Sequence, residues 1–109
     1  MEFRYSGLGV SEDFLFRMGS FFGTDKNINQ MCEECAELMV ALNHFRRGKA
    51  TVDDVALEIA DVIMMAEELR LMFGPDLVDQ KLKSQVEVVE KRVKDGRYES
   101  TTARVPSPF

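Results

Sequence analysis

Apolar residues recur three or four positions apart along most of this chain, the spacing of one helix face and not the alternation of a strand. Phe14, Leu15, Met18, Phe21 and Phe22 mark a first helix over about 11–22. Ser11 stands before it as N-cap, and Glu12 and Asp13 suit the positive end of the helix dipole. Gly23 to Asn27 reads as a turn, with Thr24 or Asp25 capping the next helix. Ile28, Met31, Leu38, Met39, Leu42 and Phe45 then predict a second helix over about 28–46. Arg46 and Arg47 fit its negative end, and Gly48 stops it. Thr51 with Asp54 resembles a capping box and opens a third helix that reaches about Phe73, closed by Gly74. Pro75 fits the first turn of a fourth, whose stripe of Val78, Leu82, Val86, Val89 and Val93 runs to Lys94 before Gly96.

Four helices with short connections predict an all-α fold, a four-helix bundle-like domain over 1–96. The stretch 97–109 is rich in Ser, Thr and Pro and is expected to be a flexible or subunit-clasping tail. With 109 residues, 45% of them hydrophobic, the chain suits one small domain whose compactness is helped by a partner subunit. The formal net charge of -5 argues against binding nucleic-acid polymers or anionic membranes, which call for basic patches. No apolar run nears the roughly 20 residues of a membrane span. The first ten residues carry Glu2 and Arg4 and lack the apolar stretch of a secretory signal. The two cysteines are too few for a disulfide scaffold, so a cytoplasmic protein is expected.

The chemistry concentrates in the third helix. From Val55 to Ala66 it reads VALEIADVIMMA, apolar except for Glu58 and Asp61. A helix apolar on all sides is expected to be enclosed by protein, which would at least partly bury both carboxylates. Burying an ionised carboxylate costs several kcal/mol, roughly, unless a cation compensates. Spaced by three, the two lie on one side of the helix, about 4.5 Å apart along its axis. Glu34 and Glu37 repeat the spacing in the second helix. Two such helices packed antiparallel can bring all four carboxylates to one point, where they repel unless a cation intervenes. Oxygen ligands alone favour a hard ion, Mg2+ or Mn2+, over Zn2+. Either pair by itself is compatible with a solvated helix face, and Asp61 can alternatively pair with Arg46 or Arg47. The two pairs together, in adjacent helices, point to a metal site.

EECAE, containing Glu33, Glu34 and Glu37, followed by EIAD, containing Glu58 and Asp61, resembles the EExxE…ExxD signature of the MazG-like all-α nucleoside triphosphate pyrophosphohydrolases. The likeness runs from about Phe21 to Lys94 and includes the RRG turn at Arg46 to Gly48 and the MFG at Met72 to Gly74. The resemblance implies a MazG-type fold and cleavage of a nucleoside triphosphate between its α and β phosphates, giving a nucleoside monophosphate and pyrophosphate. It implies Glu34, Glu37, Glu58 and Asp61 as Mg2+ ligands, with Mn2+ a possible substitute. Glu33 would sit beside them to orient or deprotonate water; it is turned about 100° from Glu34 on the helix, so direct co-ligation is less natural. A homodimer or dimer of dimers is implied as well.

The chemistry is coherent apart from the resemblance, since Mg2+ lets an acidic protein hold an anionic substrate and lowers the pKa of bound water. No GxxxxGK[ST] loop is present to support a P-loop mechanism. Cationic help is expected from the fourth helix, where Lys81 and Arg92 flank the apolar stripe on one side together with Gln85. Val88 departs from the basic pattern usual in the family. Cys32 and Cys35 form a CxxC inside a helix and are expected to pack as small buried residues. His44, seven residues after Glu37, can approach the site or simply hydrogen-bond near a helix end. The phenylalanines at 14, 16, 21 and 22 suit core or dimer packing, or stacking on a base.

Three rival readings remain. Phosphoribosyl-ATP pyrophosphohydrolase shares the fold and metal logic. A non-catalytic regulator that binds metal or nucleotide is the second. A di-iron bundle is the third, and it lacks the expected Glu-x-x-His elements because His44 is the sole histidine.

Overall fold

The computed structural model describes residues 10–97, and these are all-helical: α1 (Glu12–Phe22), α2 (Thr24–Arg46), α3 (Val52–Phe73) and α4 (Pro75–Lys94). The tail expected over 97–109 lies outside the described residues apart from Arg97. No helix among the described residues is long and apolar enough to cross a membrane. The chain divides into two compact units, one ending at Pro75 and carrying α1, α2 and α3, the other opening at Asp76 and carrying α4.

Local signals set the ends of the helices. Ser11 is extended, and its hydroxyl accepts from the Phe14 amide at 3.1 Å, satisfying a donor that the first turn leaves orphaned. Thr51 and Asp54 form a reciprocal capping box: the Asp54 amide donates to Thr51 Oγ1 at 3.1 Å, and the Thr51 amide to Asp54 Oδ2 at 2.8 Å. Those hydrogen bonds hold the Asp54 carboxyl below its ordinary range. At the end of α2, Lys49 N–H donates to the His44 carbonyl and Gly48 N–H to that of Phe45, a Schellman closure that needs the positive φ of Gly48. The same pattern closes α4 through Gly96 and Arg97.

One boundary differs from the sequence reading. No turn separates α1 from α2 over 23–27, and neither Thr24 nor Asp25 is a cap. Gly23, at φ 86°, closes α1 and opens α2 as a single residue with no side-chain cap. The reversal costs one residue because glycine adopts this backbone conformation without a Cβ clash. Asn27, freed from the turn, is buried inside α2 and donates its Nδ2 to the Gly19 carbonyl at 3.1 Å, tying the end of α1 to α2.

The most extensive packing in the first unit is α2 against α3, with α1 laid across both. Leu15 and Met65 are its buried apolar side chains among the described residues. Arg70 of α3, itself buried, lies 3.6 Å from Glu67 and 3.9 Å from Glu12 of α1. The expectation that α3 would be enclosed on all sides is corrected: Leu57, Ile59 and Met64 are exposed, as are Met39, Val40 and Leu42 of α2. Within α4, Leu82, Val86, Val89 and Val93 hold the predicted stripe, and no residue is buried. The helices therefore carry more apolar surface than the chain itself covers.

Gly19 lies inside α1, where glycine costs conformational entropy. A Cβ added there would stand 3.7 Å from Glu68 and 3.8 Å from Asn27 Nδ2, which is ordinary contact. Gly19→Ala is accordingly expected to raise stability by about 0.5–1 kcal/mol, read as a higher midpoint in urea unfolding.

Candidate metal centre and the adjoining cavity

Carboxylates of α2 and α3 meet in antiparallel register, Glu34 within reach of Asp61 and Glu37 within reach of Glu58. One oxygen from each of Glu34, Glu37 and Glu58 lies within 4.8 Å of the other two. Asp61 is outside this triad but faces Glu34, and it is half-buried. Glu34 is 9% exposed, Glu58 is half-buried and Glu37 is exposed. Gln30 Nε2 donates to Glu34 Oε1 at 2.8 Å, whereas Oε2 of Glu34 and Oε2 of Glu58 are buried with no hydrogen-bond partner.

The electrostatics follow from this crowding. Burial raises the Glu34 carboxyl above its ordinary range; the Gln30 hydrogen bond opposes the shift, and the charges of Glu37 and Asp61 add to it. Glu58 is raised by burial first, then by Glu37, Asp61 and Glu34. No ion pair of Asp61 with Arg46 or Arg47 is present among the described residues, and Arg46 instead donates to Asn43 Oδ1 at 2.7 Å. The cluster thus has oxygen donors, excess negative charge and two buried oxygens without donors. A hard divalent cation satisfies all three conditions, and the residues present fit such an ion.

The carboxylates separate two hollows. Glu34 and Asp61 border a cavity of about 580 Å³, with Glu33 on its rim. Glu37 and Glu58 border a second, of about 480 Å³, together with His44 and Lys49. Glu33 is exposed beside the triad and not within it. Lys81 and Arg92 are exposed on α4. Cys32 is exposed and Cys35 half-buried, both free, so the expectation of small buried residues fails for Cys32. All four phenylalanines are exposed; Phe14 and Phe22 also border the first cavity, and Phe21 meets Phe22 edge-on at 5.0 Å.

Three residues near these carboxylates escaped the sequence reading. Lys49, just beyond the Arg46 to Gly48 turn, borders the second hollow. Asn27 and Glu68 line the first cavity, opposite each other from α2 and α3. Both stand seven residues from a cluster member, Asn27 before Glu34 and Glu68 after Asp61, and two helical turns place each on its partner's face. That spacing was the available signal.

No family model matches this chain, and comparison with curated proteins and with solved structures likewise finds no match.

Proposed function

We propose that this chain is a Mg2+-dependent nucleoside triphosphate pyrophosphohydrolase of the MazG-like kind, acting in the cytoplasm. It would cleave the α–β phosphoanhydride by water to give a nucleoside monophosphate and pyrophosphate. The observation that carries this reading is the triad of Glu34, Glu37 and Glu58, with its two buried oxygens that no protein donor satisfies. These three residues would hold the ion, with Asp61 completing the set through its contact with Glu34. Mg2+, with Mn2+ as substitute, supplies neutralisation of the phosphate charge and makes a neighbouring water more acidic.

The chain's own residues do the remaining work. Gln30 holds Oε1 of Glu34 and leaves its buried Oε2 without a donor. Glu33, exposed and lining the cavity, would orient the attacking water and accept its proton. The exposed apolar faces of α2, α3 and α4 support a homodimer or homotetramer in which second copies cover them.

The test is product analysis. With Mg2+ and each natural deoxynucleoside and ribonucleoside triphosphate, pyrophosphate and monophosphate are expected in equal amounts. Release of orthophosphate as the first product, or no turnover with any triphosphate, would overturn the reading.

A further inference from the structure

No residue of α4 is buried, and Leu82, Val86, Val89 and Val93 are all exposed on one face of it. A helix of 20 residues that carries five valines is marginal in water without a surface to pack on. The pattern of that face narrows what the surface can be. Its four apolar positions are spaced by four, three and four residues, an order that reads the same in both directions. That is the spacing of a two-helix seam, in which each apolar residue sits against the facing helix. Two charges border the seam on one flank, Lys83 towards one end and Glu90 towards the other, both exposed. Seven residues nearly complete two turns, so the pair lies about 20° apart around the helix. The face is therefore symmetric in its apolar positions and opposite in charge about its middle, between Val86 and Val89.

We propose that α4 pairs antiparallel with α4 of a second copy of this chain, about a two-fold axis level with the midpoint of Val86 and Val89. The proposal rests on the homo-oligomer reading for the second copy, and it adds the surface, the direction and the register. In that register Leu82 meets Val93 of the other copy and Val86 meets Val89, each contact occurring twice. Antiparallel pairing also brings like flanks together, so Lys83 of each copy faces Glu90 of the other. In parallel pairing Lys83 would instead face Val78, and Glu90 would face Gln85, leaving both charges without an opposite. Charge complementarity of this kind fixes orientation and register more than it adds affinity. An isologous interface requires a surface that complements itself, whereas packing on an unrelated surface would gain nothing from the symmetry of this face.

The test is charge exchange in the full chain, with association read by sedimentation equilibrium. Lys83→Glu and Glu90→Lys each set like charges opposite one another twice, and each is expected to weaken association roughly tenfold at low salt. The loss should shrink in about 1 M salt, which screens exposed charges. The double variant Lys83→Glu with Glu90→Lys restores opposite charges across the seam and is expected to recover most of the affinity. Within a single helix the double exchange leaves both new charges beside like neighbours, Glu87 and Lys94, four residues on. Only pairing between copies therefore predicts the rescue. Association that ignores the single exchanges, or that the double exchange fails to restore, would overturn the α4 pairing and leave the homo-oligomer reading standing. A chain that stays monomeric would overturn both. Rescue in a chain that hydrolyses no triphosphate would support the pairing and overturn only the hydrolase reading.

Discussion

Glu58→Gln is expected to lower Mg2+-dependent triphosphate hydrolysis by at least about 100-fold, since even residues that only support metal ligands cost 10–100-fold when replaced. The substitution keeps shape and volume and removes one negative charge from a point where Glu34, Glu37 and Asp61 already crowd. It therefore separates two roles that a truncation would confuse. If Glu58 serves only the packing of α3, the variant should fold and turn over substrate as the parent does. If Glu58 holds a cation, activity falls while the metal-free protein becomes more resistant to unfolding, because a repelling charge has gone. The paired measurement is initial rate against Mg2+ concentration and the unfolding midpoint in chelator. Wild-type activity in Glu58→Gln would rule out the carboxylate cluster as the catalytic centre. Glu33→Gln provides the contrast: it lies outside the triad, so its rate should fall with the Mg2+ dependence unchanged.

What the sequence made legible was local. Ser11, the Thr51–Asp54 box, Gly48, Gly74 and Gly96 act within one or two turns of themselves, and the helix ends they imply are those observed. Gly23 shows where local reading stops. Glycine followed by Thr-Asp fits a longer turn equally well, and only the positive φ at Gly23, with Asn27 drawn under α1, starts α2 at Thr24. The carboxylate pairs were legible because spacing by three is a property of one helix. Bringing Glu34 to Asp61 and Glu37 to Glu58 is a property of two, and it requires the register of α2 on α3. Once that register is known, Asn27 and Glu68 follow two turns further along the same faces. The apolar run around Glu58 indicated burial but not its source. Leu57 and Ile59 stay exposed on this chain, so the apolar run does not by itself enclose the helix.

Mg2+ is expected to reverse the direction in which acid changes the stability of this protein. Without metal, Glu34, Glu58 and Glu68 all have folded-state pKa values raised above the ordinary 4.5 for glutamate. The folded chain thus binds more protons than the unfolded chain between 4.5 and the raised values, and stability falls as pH rises through that interval. The contribution of these groups is complete below 4.5 and is lost as pH climbs through the raised pKa values. Asp54 has the opposite sign, but it is held below its ordinary 3.8, so its contribution is lost only in more acidic solution. Metal-free protein should therefore gain thermal stability as pH is lowered through the raised values towards 4.5. With Mg2+ present the cluster is stabilised in its ionised form, and protons must displace the metal. At neutral pH and 100-fold excess over its Kd, Mg2+ should contribute about 2.7 kcal/mol, and this increment should shrink as pH falls. The Glu68 share of the slope persists with Mg2+, because Glu68 is not in the cluster, and it disappears in Glu68→Gln. Melting curves of both proteins from pH 7 to 5, in chelator and in saturating Mg2+, separate these effects. A metal-free midpoint that drops on acidification, or one that ignores Mg2+ at pH 7, would mean that the carboxylates of α2 and α3 are not frustrated by one another and have no cation to gain.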